Sequence, residues 1–257
     1  MPWNPDTYNQ FKNIRYQPFY DLAGLITGNA VHKAIDIGCG TGEQTYILSQ
    51  KFSAAHFTGI DASAEMLAKS KEWESDRLRF KQLTVEAMIG SGEKWDLIFS
   101  NAALQWSDDH ASLFPVLIGL LNEDGEFAVQ MPVQKENVLN QLLTGLAQEE
   151  PFATYLNGFN RPSPVLSIDQ YVTLMFENGL QDIQVMQKVY PIIANDHQTL
   201  FDFISGSALI PYLERLSGQQ QADFLTIFKE RIAVHFTKLP AIYAFKRLLL
   251  YGRKKST

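Results

Sequence analysis

Between residues 31 and 131, short apolar runs alternate with segments in which apolar residues recur every three or four positions. That alternation is the pattern of βαβ units around a parallel sheet, because a strand covered by helices on both sides is apolar throughout. The runs predict strands at 34–37, 56–60, 78–80, 96–99 and 126–129. Leu113, Phe114, Leu117, Leu120 and Leu121 stand at offsets 0, 1, 4, 7 and 8, one stripe of a helix that should face the sheet, with Gly125 following it. From residue 133 to about 160 the chain turns polar, aromatic and helix-forming, and Arg161-Pro162-Ser163-Pro164-Val165 then makes a stiff loop. Ser167 with Gln170, and Ser217 with Gln220, each fit a capping box, in which a hydroxyl and a side-chain amide satisfy free backbone N–H groups at a helix start. Segments 183–190 and 242–251 predict two late strands.

A chain of 257 residues that is 46% hydrophobic can bury one large α/β core, and a single domain is the expectation. Its 22 Lys and Arg stand against 28 Asp and Glu, a net charge of −6 that offers no positive field to a phosphate backbone or an anionic membrane. Neither nucleic acid nor membrane is an expected partner. No stretch approaches the roughly 20 apolar residues of a membrane-crossing helix. The first residues lack a signal-peptide layout, and a single cysteine, Cys39, excludes an internal disulfide, so a reducing, cytoplasmic setting is expected. The five histidines, His32, His56, His110, His197 and His235, show no paired ligand spacing, and no metal is expected.

Asp36-Ile37-Gly38-Cys39-Gly40-Thr41-Gly42 lies where the first strand stops and a helix beginning at Glu43 takes over. Glycines permit positive φ and close approach, so a ligand should lie against bare amides at the helix N-terminus. The dinucleotide pattern Gly-x-Gly-x-x-Gly would need glycine where Glu43 stands, and no Gly-Lys-Ser/Thr of a triphosphate loop follows. What remains suits a ligand with an amino-acid group and a ribose but no phosphate, and S-adenosylmethionine is such a ligand. Asp61, about 20 residues on at the end of the second strand, can accept hydrogen bonds from both ribose hydroxyls. Ser63 can cap the next helix, Glu65 suits its positive end, and Met66 offers apolar surface to an adenine face or to ordinary helix packing. Cys39, between two glycines with no histidine near it in sequence, reads as a small buried residue rather than a nucleophile.

With these residues the chain resembles the class I S-adenosylmethionine methyltransferases, and among them the trans-aconitate methyltransferases. The resemblance is carried by Trp3-Asn4-Pro5 with Tyr8, Phe11, Arg15 and Pro18, by residues 35–42, by 58–63 with Met66, and by the long blocks 96–106 and 113–132. It is thinner at 205–216 and 244–254. It implies a Rossmann-like, seven-stranded, mostly parallel sheet with the last strand antiparallel, helices on both faces and a small helical lid. The implied layout is an N-terminal helical lid segment at 1–30, a cofactor-binding core at 31–131, a helical insertion at 132–165, and the rest of the sheet with a substrate lid at 166–257. The cofactor set carried over is Asp36, Gly38, Gly40, Gly42, Asp61 and Ala62, joined by Met66, Thr84, Val85 and Asn101. An acid commonly bonds the adenine amine in this family where the chain has Thr84, with Glu86 as a substitute. S-adenosyl-L-homocysteine would be the product.

The implied reaction is O-methylation of a carboxylate on a small organic acid of the trans-aconitate kind. A carboxylate is ionised at neutral pH and needs no general base, so catalysis would rest on holding it in line with the methyl carbon and excluding water. Arg15, Trp106, His110 and Arg247 are the candidate orienting residues, and Arg15 could instead hold the cofactor's own carboxylate. Asn101, Gln105 and Trp106 follow the carboxyl end of the fourth strand, where open α/β sheets bind ligands. Packing under a loop is the ordinary alternative for Trp106, and a surface ion pair for Arg247. Ile210 stands where the resemblance places an arginine, so a less anionic acid is plausible. Methylation of malonyl-acyl carrier protein and non-catalytic cofactor binding are the alternatives. Asn101-Ala102-Ala103-Leu104 in place of Asn-Pro-Pro-Tyr disfavours base methylation.

Overall fold

The computed structural model describes residues 12–28 and 31–256, so the block at Trp3 to Phe11 lies outside the described residues. Two compact units form. The first comprises Gln17–Pro132, Pro164–Lys188 and the chain from Arg247 on, and the second the chain up to Tyr16 with Val133–Ser163 and Val189–Lys246.

The sheet has seven strands, β1 (Lys33–Ile37), β2 (His56–Asp61), β3 (Leu78–Gln82), β4 (Trp95–Asn101), β5 (Leu121–Pro132), β6 (Leu180–Ala194) and β7 (Ala241–Lys254). Their order is β3-β2-β1-β4-β5-β7-β6. Neighbours from β3 to β5 run parallel, and β7 runs antiparallel to β5. The helices of the chain's first half are α1 (Lys12–Leu25), α2 (Glu43–Lys51), α3 (Ala64–Leu67), α4 (Val85–Gly90) and α5 (His110–Gly119).

Side chains alternate across a strand, so registered neighbours share a face. Ala34, Phe57, Leu97, Phe99, Ala128, Leu249 and Tyr251 pack one face against Phe19 and Leu22 of α1 and Leu48 of α2. On the other face Phe127 meets Phe114 of α5 edge-on at 5.6 Å, and Phe114 meets Tyr171 of helix Ile168–Glu177 at 5.1 Å. Both faces are covered, which is why the strands read as unbroken apolar runs.

A buried carboxylate fastens the end of α1. Glu126 on β5 accepts hydrogen bonds from Thr27 N and Gly28 N, both at 2.9 Å, from Thr27 Oγ1 at 2.5 Å and from the Tyr251 hydroxyl at 3.1 Å. Residues 17–28 therefore belong to the sheet's unit, and the expected lid segment 1–30 divides at Tyr16.

Against the expectation of one core, the second unit closes a core of its own, from Leu139, Leu143, Phe152, Ile192, Leu200, Phe224, Phe228 and Tyr243. Its helices include Val138–Ala147, His197–Ser205 and Gly218–His235. Phe152 meets Phe224 at 5.0 Å, close to perpendicular. The apolar stripe predicted through Leu121 is also shorter. The helix ends at Gly119, because Trp95 N donates to Leu120 O and Leu121 pairs with Trp95 as β5 begins. Both capped helices begin at their serines; Gln170 N donates to Ser167 Oγ, and Ser167 N and Ser217 N donate to the amide oxygens of Gln170 and Gln220. Among the described residues, no helix is long and apolar enough to cross a membrane.

Candidate active site

The glycine loop leaves β1 and turns into α2. Gly38 sits at φ +75°, and a β-carbon there would fall 2.1 Å from Ala103 Cβ; at Gly42, φ +81°, it would meet Phe80 at 2.7 Å and Ser70 at 2.8 Å. These two glycines are demanded by the protein's own packing as much as by any ligand. The amides are not bare, as the spacing suggested. Gly38 N and Cys39 N both donate to Ile60 O, Gly40 N donates to Asp61 Oδ2 at 2.9 Å, and Gly42 N donates to Cys39 O. Three of these four amides are thus tied to β2 and the fourth closes the loop on itself, which fits a ligand without a phosphate.

Two carboxyl groups flank the loop, and neither forms an ion pair among the described residues. Asp36 is buried and accepts from Thr45 Oγ1 at 2.6 Å. Burial pushes its pKa up to about 7, against the lowering effect of the Thr45 hydroxyl and with a further push from the charge of Asp61. Asp61 is held by two backbone amides, Gly40 N on one oxygen and Ser63 N on the other at 2.9 Å, with lone pairs left over for ribose hydroxyls. A pair of acids without a cation suits a positively charged ligand such as S-adenosylmethionine. Cys39 is buried, and its thiol is pushed far above its ordinary pKa by burial, which removes any nucleophilic role.

Met66 follows the Ser63 cap of α3 and lays its methyl 3.2 Å from where a Gly40 β-carbon would stand, so it covers the loop. Ala62 is exposed, and its carbonyl accepts from Gln82 Nε2 at 3.2 Å. Thr84 caps α4 by accepting from Ala87 N at 3.3 Å, which accounts for the residue without any ligand; Val85 beside it is buried and Glu86 exposed.

At the carboxyl ends of β4 and β5 a second group of polar residues gathers. Asn101 pairs in register with Gln130, so both side chains leave the same face, and Asn101 Nδ2 donates to Gln44 Oε1 at 2.9 Å. Arg247, on β7, is buried and donates from Nη2 to Gln130 Oε1 at 2.6 Å, so it makes a buried amide contact. Ala102 is held at φ +56°, a strained turn for a residue with a side chain, clamped by Ala102 N to Gln130 O at 2.9 Å and by Gln105 Nε2 to Ala102 O at 2.7 Å. Asn101 Oδ1, Gln105 Oε1 and Gln130 Nε2 are buried and have no hydrogen-bond partner among the described residues. Gln44 and Gln130 were not singled out by the sequence patterns. The available signal for Gln130 was an amide set inside the apolar run Phe127-Ala128-Val129-Gln130-Met131.

The remaining candidates are unlike one another. Trp106 is 40% exposed, on the short helix Leu104–Trp106 that follows β4. His110 is buried, with Nε2 against Leu104 O at 2.9 Å and Nδ1 against the Tyr171 hydroxyl at 2.5 Å. Since a carbonyl only accepts, Nε2 carries the proton and Nδ1 accepts from Tyr171; both nitrogens are engaged, so His110 supports the fold and does not orient a substrate. Burial lowers its pKa, keeping the ring neutral. Arg15 lies on α1, and its side chain is outside the described residues.

Residues 29–179 match the model of a methyltransferase domain family. The chain is 41% identical over 260 aligned positions to a trans-aconitate 2-methyltransferase of Deinococcus radiodurans, covering 99% of each chain. Its fold is similar to that of the YcgJ protein of Bacillus subtilis, with TM-score 0.59 at 18% identity over 94% of this chain and 100% of that one. It is similar also to phosphoethanolamine N-methyltransferase 2 of Haemonchus contortus, solved with S-adenosylhomocysteine, with TM-score 0.54 at 17% identity over 97% of this chain and 53% of that one. A glycine loop flanked by two acids, the sheet order and a full-length relative agree: the chain belongs to the S-adenosylmethionine-dependent methyltransferases, and S-adenosylmethionine is its cofactor.

Proposed function

We propose that the enzyme esterifies one carboxylate of a small organic acid of the trans-aconitate type. The observation that carries this reading is Arg247, a buried cation at the carboxyl-end side of the sheet, in a chain whose full-length relative bears the name trans-aconitate 2-methyltransferase. When bound, the cofactor supplies a methyl group already activated by its sulfonium. Asp61 would hold its ribose, Asp36 would answer its positive charge, and Gly38, Gly40, Gly42, Ala62, Met66, Val85 and Asn101 would shape its bed, with Thr84 acting through the α4 cap. The acid arrives ionised, so no residue need take a proton. The task left to the chain is to fix a carboxylate oxygen in place away from water, for which Arg247 offers a planar, permanently charged fork and Trp106 an aromatic wall. Arg15 is the further cationic candidate for either carboxylate.

The test is to incubate the purified protein with methyl-labelled cofactor and a panel of mono-, di- and tricarboxylic acids that includes trans-aconitate. Label should move into a base-labile ester of a di- or tricarboxylic acid. Cofactor that binds without label reaching any acid overturns the reading.

A further inference from the structure

The amide of Gln130 is an unusual object in this sheet. It is fully buried, its oxygen is occupied by the guanidinium of Arg247 at 2.6 Å, and its nitrogen has no hydrogen-bond partner among the described residues. A buried N–H without an acceptor is destabilising, so a polar side chain in the run 127–131 is unfavourable unless something accepts from it. Its orientation is set by chemistry: Arg247 has only donors, so Gln130 must offer it the oxygen, which leaves the NH2 as the end that faces away. The residue therefore presents a donor beside a second set of donors.

We propose that Gln130 is a specificity residue of the acid site, its Nε2 and the Arg247 guanidinium together receiving one carboxylate of the substrate, and that its Oε1 positions Arg247 for that contact. The proposal rests on the carboxylate reading above and deepens it. Three features support the pairing. Arg247 and Gln130 lie on the same face of adjacent strands, as the pairings Pro132 with Arg247 and Gln130 with Leu249 require. Gln130 also carries the strained Ala102 turn on its carbonyl, which fixes the backbone from which its side chain departs. The chemistry is selective as well: an uncharged donor and a cation accept an anion, whereas a glutamate at this position would pair with Arg247 and repel it.

The test uses the full-length enzyme with Gln130→Leu, Gln130→Glu and Gln130→Asn, measuring KM for the acid, kcat, cofactor affinity by titration, and melting temperature. Gln130→Leu is expected to raise KM for the acid at least tenfold while cofactor affinity stays within twofold. Gln130→Glu should raise it further and shift preference toward acids with fewer carboxylates. Gln130→Asn, which keeps the amide but shortens the reach, should recover part of the loss if its melting temperature matches that of Gln130→Leu. An unchanged KM in Gln130→Leu overturns the proposal and assigns Gln130 to packing alone. A loss that falls on cofactor affinity instead overturns it and assigns the pair to the cofactor's carboxylate. If the wild type methylates no acid, the reading beneath it fails as well, an outcome distinct from an active wild type with an indifferent Gln130.

Discussion

The two halves of the site sit at the carboxyl ends of one sheet and are built on opposite rules. Around β1 and β2, the amides of Gly38, Cys39, Gly40 and Gly42 and both oxygens of Asp61 have protein partners, and the loop would hold its shape alone. Around the ends of β4 and β5, Gln105 Oε1 and Gln130 Nε2 are buried without one among the described residues. Since buried polar groups are nearly always hydrogen-bonded, the second half is left to be completed by a bound group, whereas the first is a frame satisfied by the protein itself. A cofactor shared by a whole family suits the self-contained half. An acceptor that differs between enzymes suits the other.

That contrast can be broken from the frame side first. Gly38→Ala brings a β-carbon to 2.1 Å from Ala103 Cβ at a positive φ, and should cost about 3–4 kcal/mol in urea unfolding. Adding Ala103→Gly should return the steric share and leave about 1–2 kcal/mol from φ alone; no recovery would show that the loop is not wedged against this turn. Next, Asp61→Ala should weaken cofactor binding about 100-fold, roughly 2.7 kcal/mol, by calorimetry, and an unchanged Kd removes Asp61 from the ribose.

Smaller effects follow from protonation. Asp36 titrates near 7 because of its burial, so a cationic ligand should favour its ionised form. Cofactor affinity should rise about tenfold between pH 6 and 8, and Asp36→Asn should flatten that slope. In the protein without cofactor the sign reverses: the raised pKa contributes stability that is full below about 4 and lost as pH rises through about 7. His110 acts the other way. Its pKa is lowered in the fold, so its contribution is full above about 6.5 and lost as pH falls, and the melting temperature should drop on acidification less steeply in His110→Gln. Smallest of all, Thr84→Ala should cost about 1 kcal/mol of stability through the lost α4 cap and leave cofactor affinity within twofold. A large affinity loss there would return Thr84 to the adenine.

The frame was legible in the sequence because its causes are local. Three glycines within five residues, an acid ending the next strand and a serine capping the helix after it are all set by neighbours in the chain. The parallel strands were legible for the same reason, each announcing its burial by a run. Gln130 was not, since its meaning comes from Arg247, 117 positions away, and periodicity carries no information about which strand lies beside which. His110 failed in the opposite direction. A histidine after a strand end looks free until Leu104 and Tyr171 are seen to hold both nitrogens. The second core was hidden because its buried members come from two stretches separated in the chain, 139–156 and 190–245, and periodicity does not say that they pack together.

The place of β7 has a bearing on how the molecule is made. It follows every other strand in chain order and yet lies between β5 and β6, bringing Tyr251 to the carboxylate of Glu126. A nascent chain emerging from the ribosome can pair β1 to β5 as it goes, but β5 must wait with one edge open and β6 with nothing to join until residues 241–254 arrive. During that interval β5 and β6 both hold unpaired edges, and the finished sheet is closed by an insertion rather than by an addition at its rim.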